Sequence, residues 1–108
     1  MTLDEITRAL LLDASRIATQ VTDAEWYLFG SVLRSADLAA DIDVLVLCNS
    51  HEDVTHVRAS LTDRCVSLPL HLFLVTRQEE RELGFIAGQG CMRIYPLDFP
   101  PVSDYYSG

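Results

Sequence analysis

The chain predicts an α/β domain in which one mixed sheet carries helices packed on it. Three observations lead there. The runs 24–30, 41–48 and 68–75 are apolar and rich in β-branched or aromatic residues, the composition that fits a pleated surface. The segments around them show helical spacing or helix-start residues. The two kinds of segment alternate as helix, strand, helix, strand, helix, strand, helix, an order that builds one sheet with helices on its faces. A chain of 108 residues is long enough for one such domain and too short for two, so 1–108 is a single unit.

Each element has its own warrant. Leu3, Ile6, Leu10, Ile17 and Val21 recur at helical spacing and predict an amphipathic helix over 3–21. Asp4 and Glu5 near its start favour the helix dipole. "AEWYLFG" predicts a strand ending at Gly30. A short helix follows through "SVLRSADL". "DIDVLVLC" (41–48) is apolar on both faces after Asp43, the mark of a strand central in its sheet. Ser50, with Asp53 three residues on, opens a helix that turns Val54, Val57 and Leu61 inward. "LPLHLFLV" (68–75) is the third strand, with Pro69 at its first residue or on an edge. Thr76 and Glu79 form a capping box for a helix reaching Ala87, and "GQG" (88–90) ends it. "CMRIYPL" adds a short last strand, and the Pro-rich tail, 98–108, is expected to be extended.

Composition limits the function classes. Apolar residues make up 49% of the chain, enough for a core. The net charge of −8 opposes direct binding to a phosphate backbone by the domain alone. It leaves room for a nucleotide that arrives with a divalent metal. Three cysteines, Cys48, Cys65 and Cys91, without CxxC spacing suit a reducing cytoplasm better than a disulfide framework. The first residues are acidic rather than basic, unlike a signal peptide. No apolar stretch approaches membrane-spanning length. The expected location is therefore cytoplasmic.

The chemistry concentrates in "GSVLRSADLAADIDVLVL". On a strand, residues i and i+2 share a face, so Asp41 and Asp43 are expected to point the same way. Two carboxylates this close repel unless a cation lies between them. Mg²⁺ takes one or two carboxylates plus substrate phosphates. Gly30 permits close backbone approach, and the Ser31 hydroxyl with its neighbouring N–H groups can hold phosphate oxygens. Arg34, one turn on, can add charge to a phosphate. Taken singly, these residues read as a turn, an N-cap and solvated strand ends. Together they describe a nucleoside-triphosphate site.

Gly30-Ser31, nine residues, then Asp41-Ile42-Asp43 on a strand resembles the signature of the nucleotidyltransferase superfamily of DNA polymerase β, especially its minimal members. Arg34 falls where those members often carry arginine. The resemblance implies the nucleotidyltransferase fold over most of the chain, although the motif itself covers only 30–47. It implies transfer of a nucleoside monophosphate from a Mg²⁺-bound nucleoside triphosphate, with Mn²⁺ as an alternative ion, to a hydroxyl of a protein or small molecule. Asp41 and Asp43 would be the metal-binding and catalytic carboxylates, and Gly30, Ser31 and Arg34 would hold the nucleotide.

The sequence also departs from that pattern. Catalytic members add a third carboxylate on a later strand, and the matching strand here offers His71 instead. Alternation places His71 with Phe73 and Val75, on the face of the aspartates. It reads as a general base, as a ligand better suited to Mn²⁺ or Zn²⁺ than to Mg²⁺, or as a satisfied core histidine, the commonest case for an isolated strand histidine. Ser35 replaces a frequent glycine. Little chain remains after residue 95 for a substrate-selecting domain, and minimal members often work beside a separate helical protein, some as antitoxins. Two functions therefore compete: a metal-dependent nucleotidyltransferase lacking the usual third carboxylate, and a catalytically impaired binding module on the same fold that covers a helical toxin. Among other candidates, His51 is an exposed helix start. Glu79, Glu80 and Glu82 with Arg77 and Arg81 form a solvated helix face, and Tyr105 and Tyr106 lie in the tail.

Overall fold

The computed structural model describes residues 2–38 and 40–96. The tail expected to be extended, 98–108, with Tyr105 and Tyr106, lies outside the described residues. Among the described residues the fold is a mixed α and β architecture with one four-stranded sheet, ordered β3-β2-β1-β4. The strands are β1 (Glu25–Phe29), β2 (Ile42–Cys48), β3 (Leu70–Thr76) and β4 (Met92–Tyr95). β2 runs antiparallel to β1 and parallel to β3, while β4 runs antiparallel to β1. β2 thus occupies the interior position its two-sided apolar pattern requires.

Helix α1 (Leu3–Ile17) starts with a capping box in which Thr2 accepts from the Glu5 N–H and Glu5 accepts from the Thr2 N–H. It stops at Ile17 rather than Val21, and Val21 is nevertheless buried in the turn that follows. Its apolar stripe, Ile6, Leu10, Ala14 and Ile17, packs on one face of the sheet against Trp26, Leu28, Val44, Val46 and Ile94. Helix α3 (His51–Ser60) adds Val57 to that layer, and Leu61 beyond it is also buried. Each fully buried aliphatic side chain here contributes about 1.5–3 kcal/mol. Ser50 caps α3 by accepting from the Asp53 N–H. Helix α4 (Thr62–Ser67) follows at once and buries none of its residues. That is why apolar periodicity does not announce it.

The opposite face of the sheet carries a smaller core. Phe29, Leu45 and Leu47 are buried there, with Tyr27, Phe73, Val75, Phe85 and Ile86 packed around them. The expected helix from Thr76 to Ala87 is two helices, α5 (Arg77–Leu83) and α6 (Phe85–Gln89). Gly84 breaks it by adopting a left-handed conformation, φ +61°, which glycine takes without a Cβ penalty. The break directs Phe85 and Ile86 onto the sheet. Glu80 supports it by accepting from the Ile86 N–H. Among the described residues, no helix is long and apolar enough to cross a membrane.

A polar network closes one end of the sheet. Arg77 donates to Asn49, to Glu25 and to the Asp23 carbonyl. It is therefore tied down, not part of a solvated helix face. Glu25 also accepts from the Tyr27 hydroxyl at 2.6 Å and lies 3.6 Å from Arg93. Burial alone would raise the Glu25 carboxyl, but the Tyr27 and Arg77 hydrogen bonds and the two guanidinium charges outweigh it and hold the group below its ordinary value. Burial first, and then the bond to Glu25, push the Tyr27 phenol up to about 12. A folded-state pKa raised above the unfolded value gives stability that is complete below about 10 and lost as pH rises through about 12. Denaturant titrations between those limits should show the wild type losing more stability than Tyr27→Phe. Equal losses would remove the phenol from the alkaline transition.

Candidate functional site

At the other end of the same strands, the chain leaves β1 through Gly30 and enters the short helix α2 (Ser31–Arg34). Phe29 pairs with Asp43 across the antiparallel ladder, and Asp43 pairs with His71 across the parallel one. Gly30, Asp43 and His71 therefore meet because three neighbouring strands begin or end together.

Gly30 has φ +77° and ψ −153°, a region open in practice only to glycine. A Cβ built on it would collide with Oδ2 of Asp43. Asp43 fills the space that any side chain at position 30 would need. The other oxygen, Oδ1, lies 3.2 Å from His71 Nδ1. A carboxylate can only accept, so in neutral His71 Nδ1 carries the proton and Nε2 keeps its lone pair. The imidazole is 61% exposed, which overturns the core-histidine reading. A histidine on an edge strand, opposite an acid, stays in water.

The remaining predicted residues sit around this point. Ser31 is the first residue of α2, and Arg34 closes it on the exposed side. Asp41 is exposed and lies in the bend before β2, which begins at Ile42 rather than Asp41. Strand alternation consequently fixes the direction of Asp43 and not that of Asp41. Among the described residues, no three His, Cys, Asp or Glu side chains gather as a metal cage. Asp41 and Asp43 both stand at this end of the sheet, Asp41 exposed and Asp43 half-buried.

Sequence reasoning missed the aromatic floor of the site. The His71 ring lies 4.5 Å from that of Phe73. Phe73 is 5.1 Å from Phe29 and 5.8 Å from Phe85, and Phe29 is 5.0 Å from Phe85. The two pairs with Phe29 meet edge to face, the geometry ring quadrupoles prefer. The available signal was the period-2 placement of Phe73 beside His71. The distance of Phe85 in sequence hid the rest. Compared with models of protein families, with curated proteins and with solved structures, the chain matches none.

Proposed function

We propose that the chain is a nucleotidyltransferase-like domain that transfers a nucleoside monophosphate from a metal-bound nucleoside triphosphate to a hydroxyl of a protein or small molecule. One observation carries the reading. The Asp43 carboxylate presses on a glycine whose backbone strains any other residue, so a turn able to cradle phosphate and an acid suited to its counter-ion meet at one point.

In this reading, backbone N–H groups and the hydroxyl of Gly30-Ser31 hold phosphate oxygens, and Arg34 adds charge. Asp41 and Asp43 would hold Mg²⁺ or Mn²⁺. Hard oxygen donors of this kind fit such an ion. When bound, the ion neutralises charge on the triphosphate. His71, oriented through Nδ1 by Asp43, accepts the acceptor hydroxyl's proton at Nε2. The hydroxyl oxygen then bonds to the α-phosphorus, and pyrophosphate departs in line.

The test is calorimetric titration of each nucleoside triphosphate with Mg²⁺ and with Mn²⁺, into wild type and Asp41→Asn/Asp43→Asn, followed by a transfer assay on Asp43→Asn. Binding should require the metal and fall in the double variant by at least about a hundredfold, since even outer-shell partners of metal sites cost 10–100-fold. Asp43→Asn should be inactive in transfer while remaining folded. Full transfer by that variant would sink the mechanism. A second reading, a binding module that covers a separate helical protein, is favoured by the exposed imidazole where a carboxylate is expected. It leads if the folded wild type binds no nucleotide.

A further inference from the structure

The orientation of His71 matters to its proposed role, yet burial does not enforce it. The imidazole is 61% exposed, and the last torsion of a histidine side chain is broad and roughly two-fold. A half-turn of the ring puts a carbon where Nδ1 faces Asp43. The one hydrogen bond to that carboxylate, at 3.2 Å, has water as its competitor, which limits what it contributes. In the proposed reaction Asp43 also has a metal ion to hold. A support that makes no demand on the carboxylate has to come from another side chain.

Phe73 supplies it. Strand alternation sets Phe73 on the face of His71, and the two rings lie 4.5 Å apart, tilted by 53°. Contacts between aromatic rings contribute beyond the area they bury. Phe73 is itself backed from two other elements. The Phe29 ring meets it edge-on at 5.1 Å, and the Phe85 ring stacks against it at 5.8 Å. Phe85 belongs to α6, which the break at Gly84 and the bond from the Ile86 N–H to Glu80 direct onto the sheet. Phe29 precedes Gly30 and pairs with Asp43. The same group of rings thus stands behind both members of the Asp43–His71 pair.

We infer that Phe73, backed by Phe85, is a positioning residue that holds the His71 imidazole with Nδ1–H toward Asp43 and leaves Nε2 to take a proton. This rests on the proposed role of His71 as the group that accepts the proton, but the orientation itself can be read without substrate. Phe73 acts only through the imidazole. Two states of the ring are enough to describe the effect. In the held state Nδ1 carries the proton, because a carboxylate can only accept. In the released state either nitrogen carries it. The Nε2–H form therefore counts the released state. Replacing the phenyl ring with an alkyl group removes the ring contact and should raise that count about threefold to tenfold.

Nitrogen-15 NMR of the full chain, labelled at histidine, reads the tautomer at about pH 9, where imidazoles are neutral. The spectrum of His71→Gln identifies the His71 signals among those of His51 and His56. Wild-type His71 should be mainly the Nδ1–H form. Phe73→Leu should raise the Nε2–H share by the factor given above, and Phe73→Tyr, which keeps the ring, should restore the wild-type value. Phe85→Leu should raise the share by a smaller factor, through Phe73. A folded Phe73→Leu with the wild-type tautomer overturns the inference. So does a Phe73→Tyr that behaves like Phe73→Leu, or a wild type in which His71 already divides evenly between the two forms. Should Phe73→Leu not fold, Phe85→Leu decides in its place: a raised share upholds the positioning role and an unchanged one overturns it. A chain without transfer activity still reports its tautomer, so failure of the proposed function and failure of this inference are separate results.

Discussion

Gly30→Ala is expected to lower folding stability by about 2–3 kcal/mol and to abolish metal-dependent nucleotide binding, although it removes no charge and no donor. Two costs combine. The backbone at φ +77° and ψ −153° lies in a region that strains an L-residue by about 1–3 kcal/mol. The new methyl also overlaps Oδ2 of Asp43, and that carboxylate sits on an interior strand with little freedom to retreat. If Asp43 yields, its bond to His71 breaks. If the backbone yields, the turn into α2 changes path. Either relaxation separates the groups that the proposed site needs together. Urea denaturation reads the stability cost, and calorimetry reads the binding. An unchanged urea midpoint would mean that the turn at residue 30 is not held as described.

Arg64→Ala should cost about 2 kcal/mol, a fall in Tm of roughly 10 °C for a domain of this size. Asp13 lies on the buried side of α1 with its side chain only 7% exposed. Arg64 on α4 grips it with two bonds, from Nε at 2.7 Å and from Nη2 at 3.2 Å. Arg16 approaches at 3.4 Å and is mostly exposed. Removing Arg64 leaves a buried carboxylate with one weak partner, and that loss of compensation is where the cost arises. The expected magnitude is below the usual range for a fully buried pair because Arg64 is 30% exposed. The double variant Asp13→Leu/Arg64→Met should recover most of the loss, since apolar replacement of both partners removes the desolvation penalty as well. A double variant no better than Arg64→Ala would show that α4 is held by something other than this pair.

What could be read from the sequence was what depends on neighbours in the chain. The interior strand Ile42–Cys48 declares itself by being apolar on both faces, and the starts at Ser50 and Thr76 by side chains three residues from their partners. Alternation also placed His71 on the face of Asp43. Its exposure was not legible, because nothing in "LPLHLFLV" says that its strand is outermost. Asp13 gave a signal that went unused: it is an acid at helical spacing within the stripe Leu10, Ala14, Ile17. Its partner is 51 residues away and belongs to a helix with no apolar face. The Gly84 break was hidden because a capping box announces where a helix begins and is silent about where it ends.

The bonds of Arg77 to Asn49, Glu25 and the Asp23 carbonyl all lie at the end of the strands opposite Gly30 and Asp43. The two ends of the sheet are therefore built differently. At one, a single guanidinium braces three segments with hydrogen bonds; at the other, the strands rest on the rings of Phe29, Phe73 and Phe85. Of the two groups paired there, Asp43 is held by an interior strand, whereas the imidazole on the outer strand is surrounded by water. Any change in the gap between carboxylate and imidazole therefore falls to a turn of the His71 ring.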